Sequence, residues 1–408
     1  MGKTRPLAVL FLAAVPLSVI HITHFFVILP DALAGYVDFR HLYAAGYMAR
    51  SGHSAELYDY EATRAFQNQL VSKAGGGLAL PFNHLAYEAL FFAPLSLLKY
   101  PTAYLTFVAL NLGLLALCFH LLKPHFGDLS QLPQWLPLAL PLGFLPSVFA
   151  IGEGQDSIIM LALAVVTFAL LERDREILAG AVLALTLFKF QFSIPILVLY
   201  VCWRRWGFVR GFAISGTAIL ALSMAMVGPA GVTAYAHELV SMSAHLSAGG
   251  QLRYGIHPDL MMNLRGFMSM APHDHLSQVA TQVIVAALSI AVLIWASTKR
   301  PSFPLAVAVG VLVSYHCFMY DAILLFIPLA ALVAMESAGT VSVACAVLAA
   351  PTILLYAEHR FYLMVLPLVA LIALLAKSGS AERYRPGTRA KDDPLPAPLR
   401  PRPEDAIC

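Results

Sequence analysis

Leu7–Leu29 reads LAVLFLAAVPLSVIHITHFFVIL, and shortly after it Tyr36–Gly46 reads YVDFRHLYAAG. The first stretch decides the fold. Roughly 20 apolar residues in a row are what a helix needs to cross the hydrocarbon core of a bilayer. The run is too long for the core of a signal peptide, and no small-residue cleavage site follows it, so it reads as a retained helix. The second stretch raises the functional question. Asp38, Arg40 and His41 stand where the chain should just be leaving the membrane.

The same apolar pattern recurs to the far end of the chain. Of 408 residues, 59% are hydrophobic and only 12% charged, with a mean hydropathy of +0.75. A soluble domain carries about 25% charged residues, so this is a polytopic membrane protein. Further helices are predicted near 84–98, 102–121, 133–150, 156–171, 177–201, 209–227, 278–297, 303–318, 322–336, 341–356 and 361–376. Pro137, Pro141, Pro146 and Pro195 fall inside such runs and point to short, kinked or re-entrant helices buried in protein. The expectation is an all-α bundle of about 10–13 helices. It forms one membrane-embedded domain over 1–376, followed by a disordered tail over 377–408 rich in Pro, Arg, Lys and Asp.

Two longer segments, 30–83 and 229–276, remain outside the apolar runs, and loops of that length are usually functional. In the first, Phe39, Leu42, Tyr43 and Tyr47 recur at near-helical spacing, which predicts an amphipathic helix in the membrane interface over 38–50. A polar helix at about 60–72 follows the Leu57-Tyr58-Asp59 turn, and the Ala74–Gly77 run leads toward the next apolar segment. The five cysteines are scattered, without CxxC or Cys/His spacing, and suggest neither a zinc site nor a disulfide framework. The net charge of +3 is too small to argue for nucleic acid.

Basic residues set the orientation. Lys3 and Arg5, Arg173 and Arg175, Arg204, Arg205 and Arg210, Lys299 and Arg300, and the tail from Lys377 all fall in short connections or at the termini. The positive-inside rule assigns them to the cytoplasm, termini included. The 177–201 segment must then enter and leave on one side, breaking around Lys189-Phe190-Gln191. The polar clusters collect on the outer face: loop 30–83, the Gly152–Ser157 turn, loop 229–276, His316–Asp321 and Glu358–Arg360.

Each cluster has a plain reading and a chemical one. Asp38 either caps its own helix or serves as a general base aimed at an acceptor hydroxyl. Gln155 and Asp156, with Ser157, either start a helix or hold sugar and phosphate oxygens at its N-terminus. Lys189 in an apolar segment is expensive unless it has a function, such as meeting a lipid phosphate, or snorkels to headgroups. Asn263, Arg265 and Gly266 form either a loop-to-helix junction or a phosphate site. His316 stands at an outer helix end with Tyr320 and Asp321, fit to hydrogen-bond a phosphate or protonate a leaving group. His84 and Glu88, at the start of the second apolar run, are weaker candidates of the same type. No GxxxxGK[ST] and no GxGxxG after a strand occurs, so a P-loop or Rossmann nucleotide site is excluded. A substrate already in the bilayer fits better.

Taken in order, these segments resemble glycosyltransferase family 87. The resemblance rests on Asp38 with Tyr43-Ala-Ala-Gly46, Gly52 and Leu57-Tyr58-Asp59, then Pro81-Phe82, Tyr87 and Phe91–Leu95. It continues through Gly154-Gln-Asp-Ser157, Ala179-Gly180, Lys189, Asn263-Leu-Arg-Gly266 and His316 with Tyr320-Asp321. Two departures stand out: Phe190 where the pattern has Pro after Lys, and Met262-Asn-Leu-Arg in the late element. The resemblance implies a GT-C fold and an inverting mannosyl- or arabinofuranosyltransferase. Its co-substrate is a polyprenyl-phosphate-linked sugar, its acceptor a glycolipid or glycan of the cell envelope, and its active site faces outward from the cell membrane. Asp38 is implied as the catalytic base. Arg265, His316, Lys189 and Arg360 are the candidates for the donor phosphate. Tyr43, Tyr58, Asp59, Gln155, Asp156, Asn263, Tyr320 and Asp321 are the candidates for substrate contact. No metal and no further cofactor is implied. A secondary transporter or a flippase for a lipid-linked substrate is the alternative; sugar transfer lost in Asp38→Asn separates the classes.

Overall fold

A computed structural model describes residues 5–71, 79–126, 139–244, 257–270, 275–335 and 337–378. Among the described residues every regular element is helical. The tail from residue 379, the Ala74–Gly77 run and residues 245–256 of the second loop lie outside them.

The opening apolar stretch becomes α1, Arg5–Ala34. Thirty residues at about 1.5 Å each extend roughly 45 Å, more than the hydrocarbon core requires. Gly35 ends it in the left-handed conformation, φ 91°, with Tyr36 N–H donating back to Asp31 O at 3.0 Å. The chain turns there, and Asp38 starts α2, Phe39–Arg50, before α3, Tyr60–Leu70. A helix over 38–50 with one face to lipid is expected, but α2 is buried on most of its sides. Arg40, His41, Leu42, Tyr43, Ala44, Ala45 and Gly46 are all buried. Small residues make this possible: a Cβ on Gly46 would stand 2.5 Å from the Phe92 carbonyl carbon, so the two backbones touch.

The predicted 84–98 helix is broken into 3-10 turns around a single α-turn, α4, Ala89–Phe92. There follow α5, Tyr100–Leu122, α6, Ala139–Leu142, α7, Leu145–Gly152, and α8, Ser157–Leu171. The 177–201 segment divides into α9, Glu176–Ala184, and α10, Phe190–Cys202, set 62° apart across a 3-10 turn at Leu187–Lys189. Arg205, just past α10, pairs with Glu176 at the start of α9. The two far ends are therefore together, as a re-entrant hairpin requires, with Lys189 at the tip.

α11 runs over Trp206–Ala244 but bends at Gly228, φ 66°, followed by Pro229. The second long loop therefore opens as helix where the sequence suggested a stop at 227. Gly180 and Gly211 let α9 and α11 meet backbone to backbone, against Phe208 O and Ile177 O respectively. The chain closes with α12, Leu264–Met268, α13, His275–Ser297, α14, Phe303–Val313, α15, Phe326–Val333, α16, Ala338–Tyr356, and α17, Val365–Ser378.

Among the described residues, five helices are long and apolar enough to cross a membrane, or six if the bent pair is counted as one span. Many of their large apolar side chains face outward, such as Val27, Ile214, Val283 and Ile353. That is the inverse of a soluble protein and fits lipid as the surrounding solvent.

Candidate functional site

The site is built where five segments meet: the turn after α1, the segment leading into α4, the turn between α7 and α8, the tip of the α9–α10 hairpin, and the segment between α14 and α15. They surround a cavity of about 330 Å³. Asp38, His41, His84, Gln155, Lys189 and His316 stand in its wall, with Tyr320 and Asp321.

Packing at the first break begins with Phe39. Its ring is fully buried among Tyr43, Phe92, Tyr100, Tyr104 and Phe107, with centroids 5.2–6.4 Å away. Its N–H donates to Glu153 O at 2.8 Å, and Tyr104 Oη donates to Gly152 O at 2.8 Å. These contacts join the α2 start to the α7–α8 turn. Gly154 in that turn has φ 64°, and a Cβ there would meet the Phe39 Cβ at 2.5 Å. Only glycine fits both the angle and the gap.

This junction sets Asp38 beside Gln155. Asp38 is positioned as the N-cap of α2, yet its side chain caps nothing. Its Oδ2 instead accepts from Gln155 Nε2 at 2.5 Å. Asp156 likewise precedes α8 without capping it. Both acids point away from the backbone roles that their sequence positions offer.

Lys189 ties the remaining elements together. Its ammonium lies 2.6 Å from Asp156 Oδ1 and 2.7 Å from Asp321 Oδ1. It also donates to Ser157 Oγ at 2.9 Å and approaches Gln155 Oε1 at 3.4 Å. Ser157 in turn donates to Asp321 Oδ1 at 2.9 Å. An ammonium has three N–H bonds, so the protein's own oxygens take all of them. A phosphate could reach Lys189 only by displacing one.

Behind His84 in the cavity wall lie Glu88 and Asp156. His84 Nδ1 is 2.5 Å from Glu88 Oε2 and 3.3 Å from Asp156 Oδ2. Burial pushes Asp156 up, but Lys189 and His84 outweigh it and hold the carboxyl well below the usual range. Burial, reinforced by the Asp156 charge, lifts Glu88 well above that range. Glu88 therefore holds a proton where Asp156 does not. His84 is pushed down to about 4 by burial and by Lys189, against the pull of Asp156. His316 is pushed down to about 3 by burial and by the charges of Arg265 and Lys189. Both imidazoles are neutral near pH 7. Glu153, held up to about 8 by burial and by the Asp38 carboxylate, is protonated there too.

One donor set has the composition of a metal site. Ligand atoms of His84, Glu88 and Asp156 lie within 4.8 Å of one another, all three residues buried. Histidine with two carboxylates suits a divalent transition ion. The Lys189 ammonium, 2.6 Å from Asp156, already supplies the positive charge such an ion would bring.

Other residues singled out in the sequence serve the backbone. Tyr43 Oη donates to Leu98 O at 2.7 Å, and Tyr58 Oη to His84 O at 2.9 Å. Tyr58 thereby fixes the segment that carries His84. Asp59 is exposed and caps α3 through the N–H groups of Glu61 and Ala62. Asn263 caps α12 and donates to Ser314 O at 2.6 Å. Arg265 lies behind the cavity wall, its guanidinium 3.9 Å from the Tyr315 ring centroid and Nη1 donating to Tyr315 O. Its Nη2 is buried without a hydrogen-bond partner. Arg360 is exposed and pairs with Glu358 at 2.9 Å. His84 and Glu88, the weaker candidates, prove central: the bend at His84 just ahead of the Ala86–Glu88 3-10 turn brings the two side chains together.

The family model for glycosyltransferase family 87 matches residues 87–319. That span includes Glu88, Gln155, Asp156, Lys189, Arg265 and His316; Asp38, His41 and His84 precede it. No curated protein and no solved structure matches the chain.

Proposed function

Because the chain belongs to glycosyltransferase family 87, we propose that it moves a sugar from a polyprenyl-phosphate donor to a hydroxyl of a lipid or glycan acceptor. The sugar is mannose or a similar hexose or pentose. The reaction inverts the anomeric carbon: Asp38 takes the acceptor proton, the hydroxyl oxygen attacks, and polyprenyl phosphate leaves. The observation that carries this reading is Asp38 itself. It is a carboxylate released from helix capping, set in the wall of a cavity, and bound on one oxygen to Gln155.

Negative charge grows on the leaving phosphate, so donors aimed at it matter most in the transition state. His316 stands in the cavity wall. Arg265, behind it, has a buried Nη2 without a partner. Lys189 contributes its field, and Arg360 is exposed and paired with Glu358. Gln155, Tyr320 and Asp321 border the space where the sugar would sit. No metal or further cofactor is needed for this displacement.

We place the cavity on the outer face of the cell membrane, with both termini inside and a GT-C-like bundle around it. The support is the spacing of basic residues from the cavity. α8 and α10 start at the cavity and run about 20 Å before Arg173 and Arg204 appear. Lys299 and Arg300 likewise stand at the far end of α14 from Ser314.

The test is sugar transfer by the purified protein in nanodiscs, using labelled mannosyl and arabinosyl polyprenyl phosphates with an envelope lipid extract as acceptor. Asp38→Asn is expected to lower kcat by about 10²–10⁴-fold with the protein still folded. Transfer at the wild-type rate in that variant would remove Asp38 as the base.

A further inference from the structure

Gln155 entered the sequence reading as a possible contact to sugar or phosphate oxygens. Its surroundings give it another task. The amide sits between Asp38 Oδ2, 2.5 Å from Nε2, and Lys189 Nζ, 3.4 Å from Oε1. A carboxylate only accepts and an ammonium only donates, so a single amide orientation satisfies both. The residue is 4% exposed. Its backbone is fixed as well, Gln155 N–H donating to Ala150 O at 2.8 Å after the Gly154 turn.

We propose that Gln155 is a positioning residue for Asp38. Its amide bridges the carboxylate to the Lys189 ammonium, keeping Asp38 ionised and leaving its second oxygen for the acceptor hydroxyl. The catalytic part rests on the reading of Asp38 as the base; the bridge itself does not. A hydrogen bond to the charged form of a carboxylate favours that form. Without the bridge Asp38 would face several competing groups. Burial is the largest influence and lifts the Asp38 carboxyl above its usual range; Lys189 on the hairpin and Arg40 on its own helix favour the anion, while Asp156 opposes it. Glu153 from the α7–α8 turn, Tyr100 from α5 and Tyr320 complete the titratable surroundings. Gln155 is the neutral group among them in direct hydrogen-bond contact.

The experiment follows Asp38 without needing a substrate. Infrared difference spectra of the full chain in nanodiscs, with isotope-labelled aspartate, are recorded across pH. The Asp38 band is the one missing in Asp38→Asn. Losing a bond of this strength in Gln155→Leu should raise the Asp38 midpoint by about one unit or more. In transfer assays the acid limb of kcat/KM should move with it. Activity near the limb falls about tenfold per unit, the deficit narrows as pH rises, and KM for the lipid donor changes little. If the leucine variant does not purify folded, Gln155→Glu decides. A second carboxyl against Asp38 makes the pair share a proton, so the midpoint must again rise. An unmoved midpoint in the folded variant, or a raised donor KM with an unchanged pH profile, overturns the proposal. A shifted midpoint alongside full activity in Asp38→Asn overturns the base and the catalytic part with it, while the bridge stands.

Discussion

Replacing Lys189 with methionine discriminates between a residue that holds the site together and one that meets the donor phosphate. The ammonium is 3% exposed and lies within 3.4 Å of four side-chain oxygens, two of them carboxylates at 2.6 and 2.7 Å. Methionine fills similar volume but leaves Asp156 and Asp321, 0% and 1% exposed, without their cation. Breaking a buried pair by removing one partner costs about 3–5 kcal/mol. A second route gives the same size. The cheapest relief is for one carboxyl to take up a proton at pH 7, about three units above its ordinary pKa, at about 1.4 kcal/mol per unit, or about 4 kcal/mol.

Lys189→Met should therefore lose about 4 kcal/mol of stability at pH 7. The loss should shrink toward pH 5, where protonating the stranded carboxyl is easier. Adding Asp156→Asn and Asp321→Asn should recover most of it, since no uncompensated charge is then left. Reversible unfolding in mixed micelles at two pH values measures all three. The reasoning is refuted if Lys189→Met is destabilised by less than about 1 kcal/mol and raises the KM for the lipid donor. That pair of results would mean the lysine has an N–H to spare for phosphate.

Two further outcomes follow from the same geometry. Because the Lys189 ammonium already balances Asp156, transfer activity should be unchanged after exhaustive EDTA treatment; a dependence on added Mn²⁺ or Zn²⁺ would assign the His84–Glu88–Asp156 set to a metal. Gly154→Ala should destabilise the protein by about 2 kcal/mol or more, adding left-handed strain to a clash with Phe39. It should also lower kcat, because Phe39 adjoins Asp38; thermal unfolding beside the transfer assay checks both.

The membrane bundle was legible because its signal is local. Runs of apolar residues near 7–29, 102–121, 278–297 and 341–356 became α1, α5, α13 and α16 with small shifts at their ends. The break around Lys189 was legible too, since an ammonium in an apolar segment announces its own cost. The cluster at 84–98 was not, because short 3-10 turns leave no periodicity to read. Local signals also mislead about function. Asp59 and Asn263 cap helices, as polar residues before a helix commonly do, whereas Asp38 and Asp156 occupy the same kind of position and do not. What separates the two cases lies across the fold. The partner of Asp38 is 117 residues away, and Asp156 is held by His84 and Lys189 from two other segments.

That long-range difference also argues which acid can act as a base. Five carboxyl groups crowd this region, and most are committed. Asp156 and Asp321 each hold the Lys189 ammonium, so taking a proton would break an ion pair. Glu88 and Glu153 carry protons already. A base must be ionised before reaction and able to accept a proton during it, without dismantling its surroundings. Asp38 is the acid left uncommitted, because its hydrogen-bonded side-chain partner is a neutral amide. Protonating its second oxygen weakens the bond to Gln155 without breaking it and leaves every ion pair intact. On the proposed reading the lysine serves the base indirectly: its charge offsets those of Asp156 and Asp321 near Asp38, and through Gln155 it helps hold the carboxylate in place.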